Sequence, residues 1–348
     1  MTVSRATTVR RAILSRATSV RRAILSRVLS LGDGGWRRLI RDRPLIPLVL
    51  LLVVLIAVLE LAKPGIVNGG WVATTVRAAI PLAILAACQT LAMLTGGIDL
   101  SVGAVASMAA FLLATLATGQ GPVVALSVAL VAAAIAGLVT GIGIGVFKVH
   151  PLIMTLGMSL VVLGLMSVYQ LLMVRSWTLI PDQIQWLGSG ISFGFVPNNI
   201  VVFVPAALLI VVGLRRSGYG RLLFAVGDNP IAARLAGARI WQVLVALYIL
   251  SALLAAIAGI LLAGLSNTAT VSLVEQSVLP SVAAAVIGGT SIMGGRGGYA
   301  GTIVGALILT VLTTLLTVLE MPEAVRQVLF GAIIVAVAAA YTRVTGET

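Results

Sequence analysis

The sequence predicts an all-α polytopic membrane protein with about ten transmembrane helices, some of them broken or re-entrant. Of the 348 residues, 60% are hydrophobic and only 9% are charged, which is too little polar surface for a soluble protein of this size. Apolar runs long enough to cross a bilayer recur along the whole chain. The 37 glycines suit close helix packing in lipid. We therefore take residues 44–342 as one transmembrane domain.

The apolar runs define the predicted spans in chain order. A polar stretch at 175–199 follows the fifth span, and a basic loop at 215–241 follows the sixth. The eighth span is short and the second contains Pro81, so nine or eleven spans stay open as alternatives. The ten predicted spans cover residues 45–62, 71–94, 100–118, 122–147, 152–174, 200–214, 243–265, 280–293, 300–319 and 324–341.

Most of the net charge of +13 lies in a basic tail at 1–43, which carries eleven arginines against two aspartates. The loop at 215–241 adds five arginines against one aspartate. Because cationic residues are retained in the cytoplasm, the tail, this loop and the short 343–348 segment are expected there. The tail repeats SRATTVRRAIL as SRATSVRRAIL. It is expected either to lie on anionic membrane lipid or to be an upstream extension without function; nucleic acid is not an expected partner.

Residues that carry catalysis or bind metals are nearly missing from the sequence. It has one cysteine, Cys88, and one histidine, His150, which excludes an internal disulfide and a Cys/His metal cluster. It contains no Ser/His/Asp set and no Walker motif. The sequence therefore predicts no catalytic residue, no metal site and no cofactor bound by this chain.

The stretch GGIDLSVG contains Asp99, the only acidic residue between Glu60 and Asp182. Gly96 and Gly97 weaken the second span and permit a turn. Asp99 or Ser101 is then expected to cap the third span. Such unwound backbone is tolerated in a membrane only where it is buried in protein or lines water. Two alternatives stay open for Asp99, direct contact with a substrate and a role in a gating hinge.

A second glycine-rich stretch, VIGGTSIMGGRGGYAGTIVGA at 286–306, repeats this pattern. Gly288 and Gly289 are followed by a few residues and then by small residues that open a new helix. Two comparable helix breaks in the two halves of a membrane protein point to a translocation route. Close packing of glycines alone is the alternative explanation.

The basic loop contains NPIAARLAGARI, which has the composition of a short helix. Pro230 suits the first helical turn, and Asp228 or Asn229 suits the cap. Gly237 is expected to end or bend the helix. Its small alanine and glycine face suits docking into a groove on a partner, while a solvated basic loop is the alternative.

Three stretches together resemble one family, the transmembrane permease subunits of bacterial sugar ABC importers of the ribose type. They are TGGIDLSVGAV, AVGDNPIAARLAGARI followed by YILSALLAAIAGI, and AVIGGTSIMGGRGGYAGTIVGALI. Their order and spacing agree with the family, and the resemblance covers roughly residues 45–342. The basic tail lies outside it.

The resemblance implies a multi-pass subunit of the bacterial inner membrane that imports a sugar by alternating access and is not an enzyme. It implies a second permease subunit, identical or sister, cytoplasmic ATPase subunits that bind ATP and Mg, and a periplasmic sugar-binding protein. The loop helix then resembles a coupling helix seated on the ATPase, which implicates Gly227, Asn229, Pro230, Ala232, Ala233, Arg234 and Gly237. Candidates for the helix breaks of the translocation path are Gly96, Gly97, Asp99, Ser101, Gly288 and Gly289.

One position departs from the family pattern. Before VIGGTS the family commonly shows an acidic residue in a Leu-Asp-Ala-Ile-Ala-Ala run, where this chain has Pro280 and Ser281. The substrate therefore stays open among pentoses, hexoses and related small polar solutes. Two other functions also stay open: a permease for a different solute such as branched-chain amino acids, and a secondary transporter or channel. The last class usually carries intramembrane acidic residues for coupling ions.

Overall fold

The computed structural model describes residues 45–173 and 180–322, together with 324–329, 331–332 and 335. A two-stranded hairpin pairs β1 (Ile191–Ser192) with β2 (Val196–Pro197), and a 3₁₀ turn at Glu275–Ser277 precedes the eleventh helix. The helices are α1 Leu45–Ala62, α2 Gly69–Leu94, α3 Val102–Gln120, α4 Pro122–Gly145, α5 Pro151–Met173, α6 Asp182–Ser189, α7 Ile200–Arg216, α8 Gly218–Asp228, α9 Pro230–Leu235, α10 Ile240–Ser266, α11 Val278–Ile287 and α12 Tyr299–Val318.

Seven helices within the described ranges are long and apolar enough to cross a bilayer, namely α1 to α5, α10 and α12. Each matches a predicted span to within a few residues. Helices α7 and α8 pass the same test only as a pair, bent by 67° at Ser217. The predicted all-α membrane class is confirmed, and the chain is a multi-pass membrane protein.

The predicted number of ten spans is not confirmed. The eighth predicted span corresponds to α11, which has only 10 residues. A helix of that length is about 15 Å long, half of the roughly 30 Å hydrocarbon core. Half of the predicted span at 324–341 lies outside the described residues, and the tail at 1–43 and the segment at 343–348 lie wholly outside them.

Helix α10 packs against α2, α3, α4 and α6 and is apolar and largely buried along its length. Its contact with α4 is made by a glycine at every fourth position, Gly137, Gly141 and Gly145. A Cβ atom at Gly141 would lie 2.7 Å from Val245 Cα, and one at Gly145 would lie 2.9 Å from the Trp241 carbonyl oxygen. The two helices therefore touch backbone to backbone, the close approach that small residues permit in membranes.

The part of the polar stretch that the structure describes forms a small cap beside one end of α2 and α10. Gly188 of α6 packs on Gly264, because a Cβ atom there would lie 2.7 Å from the Gly264 Cα. The Arg77 guanidinium of α2 donates to the Ser189 carbonyl. Asn199, at the start of α7, donates to the Arg77 carbonyl at 2.9 Å. These bonds pair some of the polar groups of the cap, whereas Arg77 Nε and Asn199 Oδ1 are buried without a hydrogen-bond partner among the described residues.

Candidate functional site at the glycine junction

The first predicted helix break is present at the end of α2. Gly96 has a φ of +76°, a backbone conformation that favours glycine. Its N–H donates to the Met93 carbonyl at 2.9 Å, and the Gly97 N–H donates to the Ala92 carbonyl at 3.0 Å. This pair of bonds is the Schellman motif, which closes the last turn of a helix. The glycines therefore end α2 where the sequence predicts.

The second predicted break ends α11 in the same way. Gly289 has a φ of +87° and its N–H donates to the Val286 carbonyl at 2.9 Å. The Thr290 N–H donates to the Ala285 carbonyl at 3.0 Å. Gly288 has a different function, since a Cβ atom there would lie 2.5 Å from the Thr302 Cα of α12. One glycine of the pair turns the chain and the other admits a neighbouring helix.

The two breaks and the loop helix α8 meet at a single point. The Gly295 N–H donates to the Leu94 carbonyl at 3.0 Å, which joins the second glycine stretch to the end of α2. A Cβ atom at Gly227 would overlap the Leu94 carbonyl oxygen and lie 2.6 Å from Gly295 N. One at Gly294 would lie 2.7 Å from the Gly227 carbonyl oxygen and 3.1 Å from Gly96 N. We call residues 94–97, 227–228 and 293–295 the glycine junction.

The glycine junction unites all three sequence motifs, but Leu94, Gly294 and Gly295 are not singled out by the sequence analysis. The signal that could have found the last two is the second Gly-Gly pair of the stretch at 286–306. Its contacts are made by main-chain atoms, so no side-chain pattern marks the partners. The arrangement can transmit displacement of α8 directly to both breaks, because no flexible side chain lies between them.

Asp99 is buried, with 2% of its surface exposed. One carboxylate oxygen accepts from the Ser101 N–H at 3.0 Å and from the Ser101 hydroxyl at 2.6 Å. The other accepts from the Ser251 hydroxyl of α10 at 2.8 Å. Helix α3 begins at Val102 with Ser101 as its N-cap residue, and no side chain makes the usual cap bond there. Of the two predicted cap residues, Ser101 therefore holds the N-cap position, while Asp99 bonds to Ser101 and ties the break to α10.

The backbone of the break is satisfied by side chains from two other helices. Gln89 of α2 donates to the Asp99 carbonyl at 2.8 Å and accepts from the Asp99 N–H at 3.2 Å. Thr155 of α5 accepts from the Leu100 N–H at 3.1 Å and donates to the Ile98 carbonyl at 3.2 Å. Unwound backbone within a membrane needs such partners. Neither Gln89 nor Thr155 was expected from the sequence, although a glutamine inside an apolar run is itself a signal.

The loop helix α9 has the local structure that its sequence predicts. The Asn229 side chain accepts from the N–H groups of Ile231 and Ala232, each at 3.0 Å, so Asn229 rather than Asp228 is the cap. Pro230 occupies the first helical position. Gly237, with a φ of +89°, ends the helix with a Schellman motif like those at the two breaks.

Helix α9 presents an apolar face that no other described residue covers. Ile231 is 73% exposed and Leu235 is 85% exposed, one helical turn apart. Ala232 and Arg234 are also exposed, while Ala233 faces inward and is buried. Large apolar side chains at such exposure are typical of a surface that binds a partner.

The described residues include no cluster of three or more His, Cys, Asp or Glu side chains that could hold a metal ion. Cys88 is buried, and its thiol faces the Ile84 carbonyl at 3.4 Å and the Ser251 carbonyl at 3.2 Å. The site is built from main-chain contacts, glycines and one buried carboxylate, together with the polar side chains that bond to the break.

Comparison with known proteins gives a family for this architecture. Residues 72–338 match a family described as the permease component of branched-chain amino acid transport systems. The chain is 31% identical to the fructose import permease FrcC of Rhizobium meliloti over 303 residues, covering 83% of this chain and 82% of FrcC. It is 30% identical to the ribose import permease RbsC of Bacillus subtilis over 294 residues, covering 81% and 88% of the two chains.

A third relative has the higher identity of 36%, over 265 residues. It is the galactofuranose transporter permease YtfT of Escherichia coli, and the match covers 74% of this chain and 76% of YtfT. No solved structure matches the chain significantly. The resemblance that the three motifs predict is confirmed, and the chain belongs to this family of ABC transporter permeases, in the group of the ribose-type permeases.

Proposed function

We propose that the chain is the permease subunit of an ABC importer that carries a pentose, a hexose or a related polar solute inward by alternating access. The printed names of its relatives, permeases for fructose, ribose and galactofuranose, support the sugar class. The observation that carries the mechanism is the glycine junction, where a loop helix touches two helix breaks through backbone atoms. ATP and Mg would bind to the partner ATPase and not to this chain.

The exposed face of α9 is the proposed binding site of the ATPase subunit. Motion of the ATPase would push α9 and the adjoining α8, and Gly227 would pass that displacement to Leu94 and Gly295. Asp99 would hold the far end of the first break to Ser251 of α10. The segment between, at 95–98, would then act as the hinge. A hinge between two anchored points reorients the helices without unfolding them.

The remaining partners follow from the family. A second permease subunit, identical or sister, would complete the translocation path, and a periplasmic binding protein would deliver the sugar. The loop at 215–241 would lie in the cytoplasm of a bacterial inner-membrane protein with both termini on that side, because arginines concentrate in this loop and in the tail.

The decisive experiment is uptake by proteoliposomes that contain the permease, its ATPase and the binding protein. We expect uptake of a radiolabelled sugar that requires both ATP and the ATPase subunit. Uptake in the absence of the ATPase would refute the proposal and favour a secondary transporter. Leucine belongs in the same assay, because the family description names branched-chain amino acids; uptake of leucine and of no sugar would establish that alternative.

The coupling surface has its own test in the variant Leu235→Glu. Leu235 is 85% exposed, so a glutamate there leaves the fold intact. We expect the ATPase to be lost on co-purification while the thermal unfolding of the permease is unchanged. Full retention of the ATPase would show that α9 is not its seat.

A further inference from the structure

A polar cavity of about 410 Å³ lies beside the start of α11. Its lining includes a carboxylate, two carboxamides and a hydroxyl, from Glu275, Gln276, Gln327 and Ser272. Leu279 and Pro280 complete the side that α11 provides. The volume is within the range of small-molecule sites.

The chain reaches this cavity by folding back into the helical bundle after α10. Ala269 packs with Ala110 and Ala114 of α3. Further along, the Val274 N–H donates to the Ser107 hydroxyl at 2.9 Å. The segment from 267 to 277 thus descends along α3 toward its first turn and does not stay at the surface of the membrane.

Contacts with α12 and α3 locate the cavity. Helices α11 and α12 run antiparallel: Gly288 packs on Gly301, and a Cβ atom at Gly305 would lie 3.3 Å from Ala284 Cα. Before α11, a Cβ atom at Gly103, in the first turn of α3, would lie 3.5 Å from Glu275 Cα. Glu275 therefore lies beside the start of a helix long and apolar enough to cross the membrane.

Polar side chains at this position cannot face lipid. Glu275 and Gln276 are exposed in the described structure, as is Leu279 at 61%. Ionisable groups inside a membrane face a bundle interior or a water-filled cavity and mark the path of a solute or ion. The exposed side of α11 is therefore suited to a water-filled path within the membrane.

We propose that this cavity is where the sugar contacts the permease in transit, an inference that rests on the proposed import function. A sugar presents hydroxyls that both donate and accept hydrogen bonds. A carboxylate accepts, and a carboxamide and a hydroxyl do both, so the four side chains match a polyol. No Lys or Arg is among the described residues of the lining, so the carboxylate of an amino acid or a phosphorylated sugar would find no cationic partner there.

The first experiment asks whether the cavity holds water, using thiol labelling of the assembled importer in proteoliposomes. The natural chain suits it because Cys88, its only cysteine, is fully buried. We expect a membrane-impermeant methanethiosulfonate reagent to modify the variant Gln276→Cys. The matched variant Leu165→Cys, at a 60% exposed position on α5, should stay unmodified in lipid. Absence of labelling at Gln276→Cys would overturn the inference, because that face would then lie in lipid or against the second subunit.

The second experiment asks whether the side chains contact the sugar. We expect Gln276→Leu and Gln327→Leu each to lower sugar uptake at least about tenfold, the effect of losing one good hydrogen bond. ATP hydrolysis stimulated by the loaded binding protein should continue, whereas a merely structural defect would lower both. The matched control is Gln170→Leu, an exposed glutamine on α5 outside the cavity, which should transport normally.

The two readouts separate the possible failures. Normal uptake by both glutamine variants beside active wild type would overturn the contact site and leave the import function standing. Wild type that imports no sugar would overturn the import function and the sugar assignment together. Labelling of Gln276→Cys would in that case still establish a water-filled path, because it does not depend on the solute.

Discussion

The variant Gly227→Ala tests the glycine junction with the smallest possible change. One methyl group is added on α8, at a point where the added carbon would overlap the Leu94 carbonyl oxygen. It would also lie 2.6 Å from Gly295 N, whereas ordinary contact begins at 3.4 Å. Gly295 alone would therefore have to withdraw by about 0.8 Å, the difference between these two distances.

The energetic cost follows from these contacts. Overpacking of this kind costs about 1–3 kcal/mol. Separating Leu94 from Gly295 also breaks the hydrogen bond between them, and an unpaired buried group costs about another 1–3 kcal/mol. We expect Gly227→Ala to reduce the free energy of unfolding by about 2–6 kcal/mol. If α8 instead moves away from Leu94 and Gly295, the free energy of unfolding falls less, but the contact between the loop helix and the two helix breaks is lost.

The assay combines thermal unfolding of the purified permease with ATP-driven uptake. The matched control is Gly213→Ala in α7, where an added Cβ has no neighbour within 4 Å and alanine favours the helix. We expect the control to match wild type in both measurements, while Gly227→Ala loses stability, uptake or both. Equal behaviour of the two variants in both measurements would refute the reasoning.

Three further predictions follow from the site. Asp99→Leu leaves the Ser101 and Ser251 donors unpaired and should lower the free energy of unfolding by about 2–4 kcal/mol. Asp99→Asn keeps one oxygen and should have a smaller effect. Equal thermal unfolding of both variants and wild type would contradict this prediction. Asn229→Ala should lower the free energy of unfolding by about 1 kcal/mol and weaken ATPase binding, because it removes the cap of α9. Asn229→Asp should restore both, and equal calorimetric stability of Asn229→Ala and wild type would contradict the capping role. Arg234→Glu should weaken ATPase association more at low salt than at high salt, since the side chain is exposed; equal weakening at both would exclude an electrostatic contact.

Local rules in the sequence predict the ends of helices well. The cap at Asn229 and the turns at Gly96, Gly237 and Gly289 each depend on a few neighbouring residues, and all four are where the pattern places them. The same rules offered Asp99 or Ser101 as the cap of α3; Ser101 holds that position, and one Asp99 carboxylate oxygen instead accepts from Ser251, 152 positions away. A local pattern has no means of reporting such a distant competitor.

The parts that sequence reasoning missed are all tertiary. Helix α11 is apolar apart from Ser281, so hydropathy alone extends it to a full span, although it pairs with only part of α12. The bond from Gly295 to Leu94 joins main-chain atoms about two hundred residues apart, and no side-chain pattern marks it. The segment with Glu275 and Gln276 falls between two predicted spans and so reads as a loop outside the membrane. Its return into the helical bundle depends on tertiary contacts with Ser107 and Ala110, which no local pattern shows.

Helix α11 has one end at the polar cavity and continues at its other end into the glycine junction. Its 10 residues form a stiff strut about 15 Å long, with no joint between Val278 and Ile287. In the proposed mechanism, a displacement of the glycine junction would therefore be passed along α11 to the wall of the cavity. The coupling between the two regions would be limited by how far one short helix can bend.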